Sequence, residues 1–214
     1  MDFSVELIEE NKVKFIELVK SIKREGIETD KLLNKLENSD FYVAPASSKY
    51  HGAYAGGLVD HCLNVYFNLK RLVENKHLDV RYDDETLIIV ALFHDFSKMN
   101  FYEKTAQNKK VYSPDGSKYD EIGKYDWVAV SSYKVIDTQD RFLYGNHEQT
   151  AEYMIRQFIP LKLDESIAIL HHMGGMSIDS AKDDISSIYN KCPLALLLHL
   201  ADMLATYIDE RVYQ

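Results

Sequence analysis

The spacing of apolar and polar residues predicts a mostly helical chain. In most segments the apolar side chains recur at steps of three and four, which places them on one face of an α-helix. Gly26 separates the first two helical patterns, and Pro193 suits the first turn of the last one. The predicted helices cover 3–25, 29–38, 57–77, 84–94, 146–158, a segment capped by Asp164, and a final helix from Pro193, with 176–191 as a loop.

Residues 100–127 do not follow this pattern. Two short β-prone pieces flank Ser113-Pro114-Asp115-Gly116, a sequence typical of a tight turn. We therefore predict a small β-hairpin around residues 104–126, inserted into an otherwise all-α fold. Lysines and aromatic residues alternate in this insertion. We interpret it as a solvated hairpin, and the alternative is a lid that faces a substrate.

Ionisable side chains stand at the most apolar points of the chain. His94 and Asp95 end one apolar run, and Asp202 interrupts the last helix. A buried carboxylate is costly unless it is compensated, and a divalent cation compensates it by taking imidazoles and carboxylates as ligands. The candidate ligands are His61, His94, Asp95, His147, Asp202 and either His171 or His172. This set is larger than one ion needs, and it suits two adjacent ions.

Composition and net charge limit the partners and the cellular location that we expect for the protein. The net charge of −9 argues against broad electrostatic binding of nucleic acid, although a local basic patch or metal site could hold a phosphate. No apolar stretch approaches about 20 residues, and the acidic start of the chain is unlike a signal peptide. Cys62 and Cys192 lie in apolar helical segments, as reduced core thiols do. We expect a cytoplasmic protein with no membrane partner.

Five short segments, taken in order, resemble the HD-domain metal-dependent phosphohydrolase superfamily. The similarity extends over about residues 40–210 and is greatest to the branch that contains HD-class 3′–5′ exoribonucleases. Ser97 stands where many members have glycine, and the chain has no evident oligonucleotide-binding module. The matching segments are H-G-A-Y-A-G-G-L-V-D-H at 51–61, A-L-F-H-D-F-S-K at 91–98, G-N-H-E-Q-T-A at 145–151, A-I-L-H-H-M-G-G at 168–175 and H-L-A-D-M-L at 199–204.

The resemblance implies a helical HD-domain bundle and a role for each site residue. One ion would be held by His61, His94, Asp95 and Asp202. Asp95 would bridge to a second ion on His147 and His171, with His172 as an additional ligand or substrate contact. Lys98 would hold a phosphate oxygen beside the catalytic Asp95. The ions would be Mn, Fe, Zn or Mg, and no other cofactor-binding residues are implied.

The implied domain organisation is a single HD-type domain over 1–214. It would comprise N-terminal helices at 1–40, a metal-binding core at 41–210 and the inserted hairpin or lid at 100–127. The oligomeric state is left open.

The expected function is hydrolysis of a phosphomonoester or phosphodiester by a metal-activated hydroxide. The substrate would be a phosphorylated small molecule, a nucleotide or a short nucleic acid. Two alternatives use the same residues: a diiron oxygenase of the inositol-cleaving type, and a regulator that binds a nucleotide without turnover.

Overall fold

Eight α-helices and a three-stranded sheet make up the described part of the chain. The computed structural model describes residues 5–137, 145–176 and 184–210. The elements in order are α1 (Val5–Ser21), α2 (Thr29–Glu37), α3 (Gly57–Val73), α4 (Asp84–Phe93), β1 (Tyr102–Tyr112), β2 (Lys118–Tyr119), β3 (Lys124–Val135), α5 (His147–Arg156), α6 (Leu163–Leu170), α7 (Ile185–Lys191) and α8 (Pro193–Leu204), with 3-10 turns at Phe96–Lys98 and Gly174–Met176 and a π-helical turn at Ala205–Asp209. The prediction of a helical fold with an inserted hairpin is confirmed.

The core is built around α3 and α4. Helix α3 packs against α4 and α8, and every side chain of α4 from Thr86 to Phe93 is buried. Phe93 and Phe96 meet edge to face with ring centroids 5.5 Å apart, and Phe15 and Phe41 extend the same cluster. Since His94 and Asp95 lie between Phe93 and Phe96, the core fixes the position of both ionisable residues.

The inserted sheet is larger than predicted. Strands β1 and β3 pair antiparallel along their length, from Tyr102 opposite Val135 to Tyr112 opposite Tyr125, and β2 pairs on the other side of β3. The predicted turn is present, because the N–H of Gly116 donates to the carbonyl of Ser113 at 3.0 Å. The predicted bounds of 104–126 stopped inside β3, which continues to Val135 and includes the buried Tyr133.

Several predicted helix ends were wrong for local reasons. Helix α3 ends at Val73 and not near His77, where the side chain of Asn75 accepts the N–H of His77 in a turn. Helix α6 begins at Leu163 without a cap from Asp164, because Glu165 accepts the N–H of Lys162 at 2.7 Å.

The loop predicted for 176–191 contains a helix. Helix α7 occupies Ile185–Lys191, where the side chain of Asp184 accepts the N–H of Ser187 at 3.0 Å and caps its first turn. Residues 177–183 of the predicted loop lie outside the described residues. The helix is short and none of its side chains is fully buried, so its apolar periodicity was too weak to predict it.

A buried ion-pair network fixes α6 against the N-terminal helices. Glu165 on α6 is fully buried, and its two oxygens lie 2.5 Å and 2.8 Å from the guanidinium nitrogens of Arg24. The same guanidinium contacts Glu85 on α4 at 3.0 Å. Helix α6 leads directly into His171 and His172, so this network also positions that part of the site.

Within residues 5–137, 145–176 and 184–210, no single helix is both long and apolar enough to cross a bilayer. Taken together, the bent pair Ile185–Lys191 and Pro193–Asp209 has the length and apolar composition of a membrane span, by length and composition alone.

Candidate metal centre

Asp95 is at the centre of a buried cluster of histidines. Its Oδ2 atom lies 3.4 Å from Nε2 of His94 and 3.6 Å from Nε2 of His61. Its Oδ1 atom faces two other imidazoles, with Nε2 of His172 at 3.8 Å and Nε2 of His147 at 4.0 Å. The two oxygens of one carboxylate therefore address two different pairs of histidines.

Asp202 closes the cluster from α8. Its Oδ1 atom lies 3.2 Å from Nε2 of His61, and that nitrogen lies 3.3 Å from Nε2 of His94. Ligand atoms bound at about 2.1 Å to one tetrahedral ion lie about 3.4 Å from one another. The distances from His61 to His94 and Asp202, and from Asp95 to both histidines, are close to that value. His61, His94 and Asp202 form one group that could hold a cation, and His94, Asp95 and His172 form another.

The Nδ1 atom of each of the four histidines lies close to an oxygen that can accept a hydrogen bond. The Nδ1 atom of His61 lies 3.0 Å from a carboxylate oxygen of Glu210, and that of His147 lies 3.1 Å from Glu148. The Nδ1 atoms of His94 and His172 lie 2.8 Å from backbone carbonyls, those of Ala91 and Ile169. Because these partners only accept hydrogen bonds, they favour the neutral tautomer with the proton on Nδ1 and the Nε2 lone pair towards the cluster.

This arrangement of lone pairs and carboxylates requires a positive charge. The Nε2 atoms of His61 and His94 face each other, and Oδ1 of Asp95 and Nε2 of His172 are buried with no hydrogen-bond partner among the described residues. Burial lowers the pKa of His61, but Glu210 and Asp202 outweigh it and raise that pKa to about 10. A proton satisfies His61 alone, whereas divalent cations would also satisfy Asp95 and His172.

The remaining pKa shifts keep the cluster in a ligating state. Burial and the neighbouring His94 and His147 lower the pKa of His172 to about 3. Burial also lowers the pKa of His147, although the Asp95 carboxylate acts in the opposite direction. Burial raises the pKa of Asp95, but Lys98 and His94 outweigh it and hold that pKa well below its usual value. Neutral imidazoles beside an ionised carboxylate are the forms that bind metal.

Lys98 is the cation nearest to the cluster. Its Nζ atom lies 2.6 Å from Oδ2 of Asp95, and its side chain is 16% exposed. Burial lowers the pKa of Lys98, but the Asp95 carboxylate outweighs it and the pKa is raised. The lysine therefore stays charged next to the carboxylate and can also reach the adjoining cavity.

The structure brings together His61, His94, Asp95, His147 and Asp202, five of the residues predicted as ligands. Of His171 and His172, between which the prediction left the choice open, His172 has its ring in the cluster. His171 is half-buried at the end of α6. The described groups that could hold a metal include His172 and do not include His171. The carbonyl of His172 also accepts from Nδ1 of His199 at 2.6 Å.

Sequence reasoning missed the residues that hold the histidines. Glu210 lies beyond the last helix, in a charged run that gives no sign of burial, yet it is 8% exposed. Its Oε1 atom also accepts from Nδ2 of Asn64 at 3.2 Å, on the side of α3 that was predicted to be polar. Glu148 directly follows His147 and is 1% exposed. The one sequence signal for this contact was Asn64, a polar residue three positions after His61 that donates to the same carboxylate.

A cavity of about 970 Å³ opens onto the cluster. Asp95, Asp202 and His147 form part of its wall, and the inserted hairpin contributes Tyr102 and Lys109. The hairpin is therefore not only a solvated projection, as we had interpreted it. A volume of this size is at the upper end of the range for small-molecule sites, about 300–1,000 Å³.

Comparison with known proteins gives a family and no individual relative. No curated protein and no solved structure matches the chain significantly. The family model described as HD domain matches residues 58–207, which contain all the predicted ligands. Members of that family generally bind divalent metals and act as metal-dependent hydrolases. The chain therefore belongs to the HD domain family.

Proposed function

We propose that the protein is a metal-dependent phosphohydrolase that cleaves a phosphomonoester or phosphodiester bond of a nucleotide or short nucleic acid. The observation that carries the proposal is the position of Asp95. Its two oxygens face separate pairs of histidines, and Lys98 lies 2.6 Å away at the edge of the cavity. The exoribonuclease branch stays a prediction within this class.

The donor set would hold two cations. The groups that could hold a cation are His61, His94 and Asp202 on one side and His94, Asp95 and His172 on the other. In the proposed site Asp95 would complete the first group, and His147, whose Nε2 lies 4.0 Å from Asp95, would join the second. When bound, divalent cations supply Lewis acidity and lower the pKa of a bound water towards neutrality. A set dominated by imidazole nitrogens favours Mn, Fe or Zn over Mg alone.

The chain's own residues hold and orient the reacting groups. Asp95 is fixed between Phe93 and Phe96, and the Nδ1 partners hold the imidazole rings in place. Lys98 would bind a phosphoryl oxygen and stabilise the negative charge that develops as the ester bond breaks. Its ammonium group is already ordered by Asp95, so little reorganisation is needed when substrate binds.

The cavity supports a nucleotide more than a small phosphate ester. Tyr50, Phe101, Tyr102 and Tyr207 are among its lining residues. Aromatic side chains of this kind provide faces on which a nucleobase can stack. We therefore place the base among these rings and the scissile phosphate beside Lys98.

Substitution of Asp95 tests the proposal. Asp95→Ala removes the carboxylate common to both groups of ligands, so bound metal and turnover of p-nitrophenyl phosphate or its bis ester with added Mn²⁺ should fall together. Because metal ions contribute several kcal/mol to such reactions, we expect a loss on the order of a thousandfold. Asp115→Ala on the exposed hairpin turn is the control, with circular dichroism to verify folding. Unchanged turnover in Asp95→Ala would exclude the proposed site.

The alternatives give different products. Lys98 beside Asp95 suits a phosphate oxygen, which favours the hydrolase. Iron in the purified protein, together with oxygen consumption and no phosphate release, would support the oxygenase. Tight nucleotide binding without turnover under several metals would support the regulator.

A further inference from the structure

We propose that Lys49 and Lys109 form a second anion site at the mouth of the cavity, and that the substrate carries two phosphate groups. One phosphate would be cleaved beside Asp95, and the other would be held by the two lysines. The cleavage step rests on the proposed function, whereas the anion site is a binding site and can be tested without turnover.

The charge of the cavity differs from that of the chain. The protein carries a net charge of −9, yet the acids that line the cavity are Asp95, Asp202 and Glu210, all of which contact histidines. The other charged residues of its wall are lysines, namely Lys49, Lys98 and Lys109. Outside the proposed ligands and their partner Glu210, the described wall therefore favours an anion.

Two of these lysines lack an anionic partner. Lys98 contacts Asp95, but the ammonium groups of Lys49 and Lys109 make no ion pair or hydrogen bond with any residue in the described ranges. The neighbouring Lys110 is engaged, because it contacts Asp120 at 2.6 Å and lies 4.4 Å from the ring centroid of Tyr125. Successive residues of a strand point to opposite faces, which gives Lys109 and Lys110 different surroundings.

The two lysines reach the cavity from separate segments. Lys49 lies in the loop before α3, and Lys109 lies on β1 of the inserted hairpin. Tyr50, which follows Lys49, is 77% exposed, and Tyr207 on the opposite segment is 58% exposed, although both line the cavity. Exposed aromatic rings beside unpaired ammonium groups fit a nucleoside that carries a phosphate.

The test compares ligands with one and two phosphates. Inhibition of Mn²⁺-dependent p-nitrophenyl phosphate turnover is measured with thymidine 5′-monophosphate, thymidine 3′,5′-bisphosphate and ADP on the full chain. We expect a two-phosphate ligand to bind about tenfold more tightly than the monophosphate. Lys49→Ala and Lys109→Ala should each remove most of this advantage and leave the monophosphate inhibition constant unchanged within about twofold.

Lys104→Ala is the matched control, because Lys104 is an exposed lysine on the same strand and does not line the cavity. Lys104→Ala should bind the two-phosphate ligand more tightly than the monophosphate by the same factor as the wild type. Tighter binding of the bisphosphate than of the monophosphate indicates a substrate whose second phosphate is a separate ester on the sugar. Tighter binding of ADP than of the monophosphate indicates a substrate whose two phosphates form one diphosphate chain. Equal binding of all three ligands, or an advantage that survives the double substitution of Lys49 and Lys109, would overturn the proposal.

Failure of the proposed function gives a separate result. If the wild-type protein has no turnover with any metal, the same ligands are titrated by calorimetry, where hydrolysis cannot interfere. A two-phosphate advantage that depends on Lys109 would then support the anion site and contradict the hydrolase. No such advantage would overturn the anion site as well.

Discussion

Glu210 accepts a hydrogen bond from Nδ1 of His61 at 3.0 Å, across 149 positions of sequence. The pair joins α3 to the turn that follows α8, and Asn64 donates to the same carboxylate. A carboxylate on the far side of a ligating imidazole fixes its tautomer and raises its basicity. Glu210 therefore positions His61 through Nδ1, while Nε2 of the same ring lies 3.2 Å from Asp202 and 3.6 Å from Asp95.

Glu210→Gln should weaken metal binding. The substitution keeps the size of the side chain but removes its charge, so we expect metal affinity to fall by about 10- to 100-fold. Calorimetric titration of the metal-free protein with Mn²⁺ or Zn²⁺ measures the change. Asp209→Asn is the control, since Asp209 accepts from Asn68 at 2.6 Å outside the cluster. Equal affinities for wild type and Glu210→Gln would show that the contact does not position His61.

The two consecutive histidines after α6 should differ in their effect. His172→Ala removes an imidazole whose Nε2 atom lies 3.8 Å from Asp95, so the protein should bind less metal per chain. His171→Ala should retain the wild-type metal content, because the cluster is formed through His172. Metal analysis by mass spectrometry after dialysis gives both values. Metal loss in His171→Ala alone would restore the original prediction.

Asp83 should contribute stability that depends on pH. It caps α4 by accepting the N–H of Thr86 at 2.7 Å, and it contacts Lys162 at 2.8 Å. Burial raises the pKa of Asp83, but Lys162 and Thr86 outweigh it and lower that pKa to about 2. A carboxyl group whose pKa is lowered by folding stabilises the protein above its unfolded pKa of 3.8, and the contribution is lost as the pH falls towards 2.

Urea unfolding of Asp83 variants tests this effect. Asp83→Ala removes the cap and should lower the free energy of unfolding by about 1 kcal/mol at pH 7. Asp83→Asn keeps a capping side chain and removes only the charge, so it should lower the free energy of unfolding less than Asp83→Ala does. The difference in free energy between Asp83→Asn and wild type should shrink as the pH falls from 4 to 2. A difference that stays constant over this range would exclude the ionised carboxylate as its source.

The parts of the site that could be predicted are those with a local cause. His94, Asp95 and Asp202 interrupt apolar runs, and a charged group in a buried helix needs a partner wherever that helix packs. The recurrence of apolar residues at steps of three and four also predicted most of the helices. Five of the predicted ligands meet in the structure because each belongs to a helix whose buried face could be identified from its own sequence.

What could not be predicted depends on tertiary contacts. Asn64 and Asn68 of α3 contact Glu210 and Asp209 of the last turn, a pairing that the sequence of α3 alone does not indicate. Likewise, the choice between His171 and His172 depends on the angle at which α6 ends. Local periodicity describes which face is polar, and it does not say which other segment will bind there.

The six side chains of the cluster come from five helices spread over more than half of the chain. His61 belongs to α3, His94 and Asp95 follow α4, and Asp202 lies near the end of α8. The unfolded chain cannot assemble such a site, so an ion that binds only the native protein adds to its resistance to heat. At a hundred times its dissociation constant, the added free energy is about 2.7 kcal/mol, and chelators should lower the melting temperature accordingly.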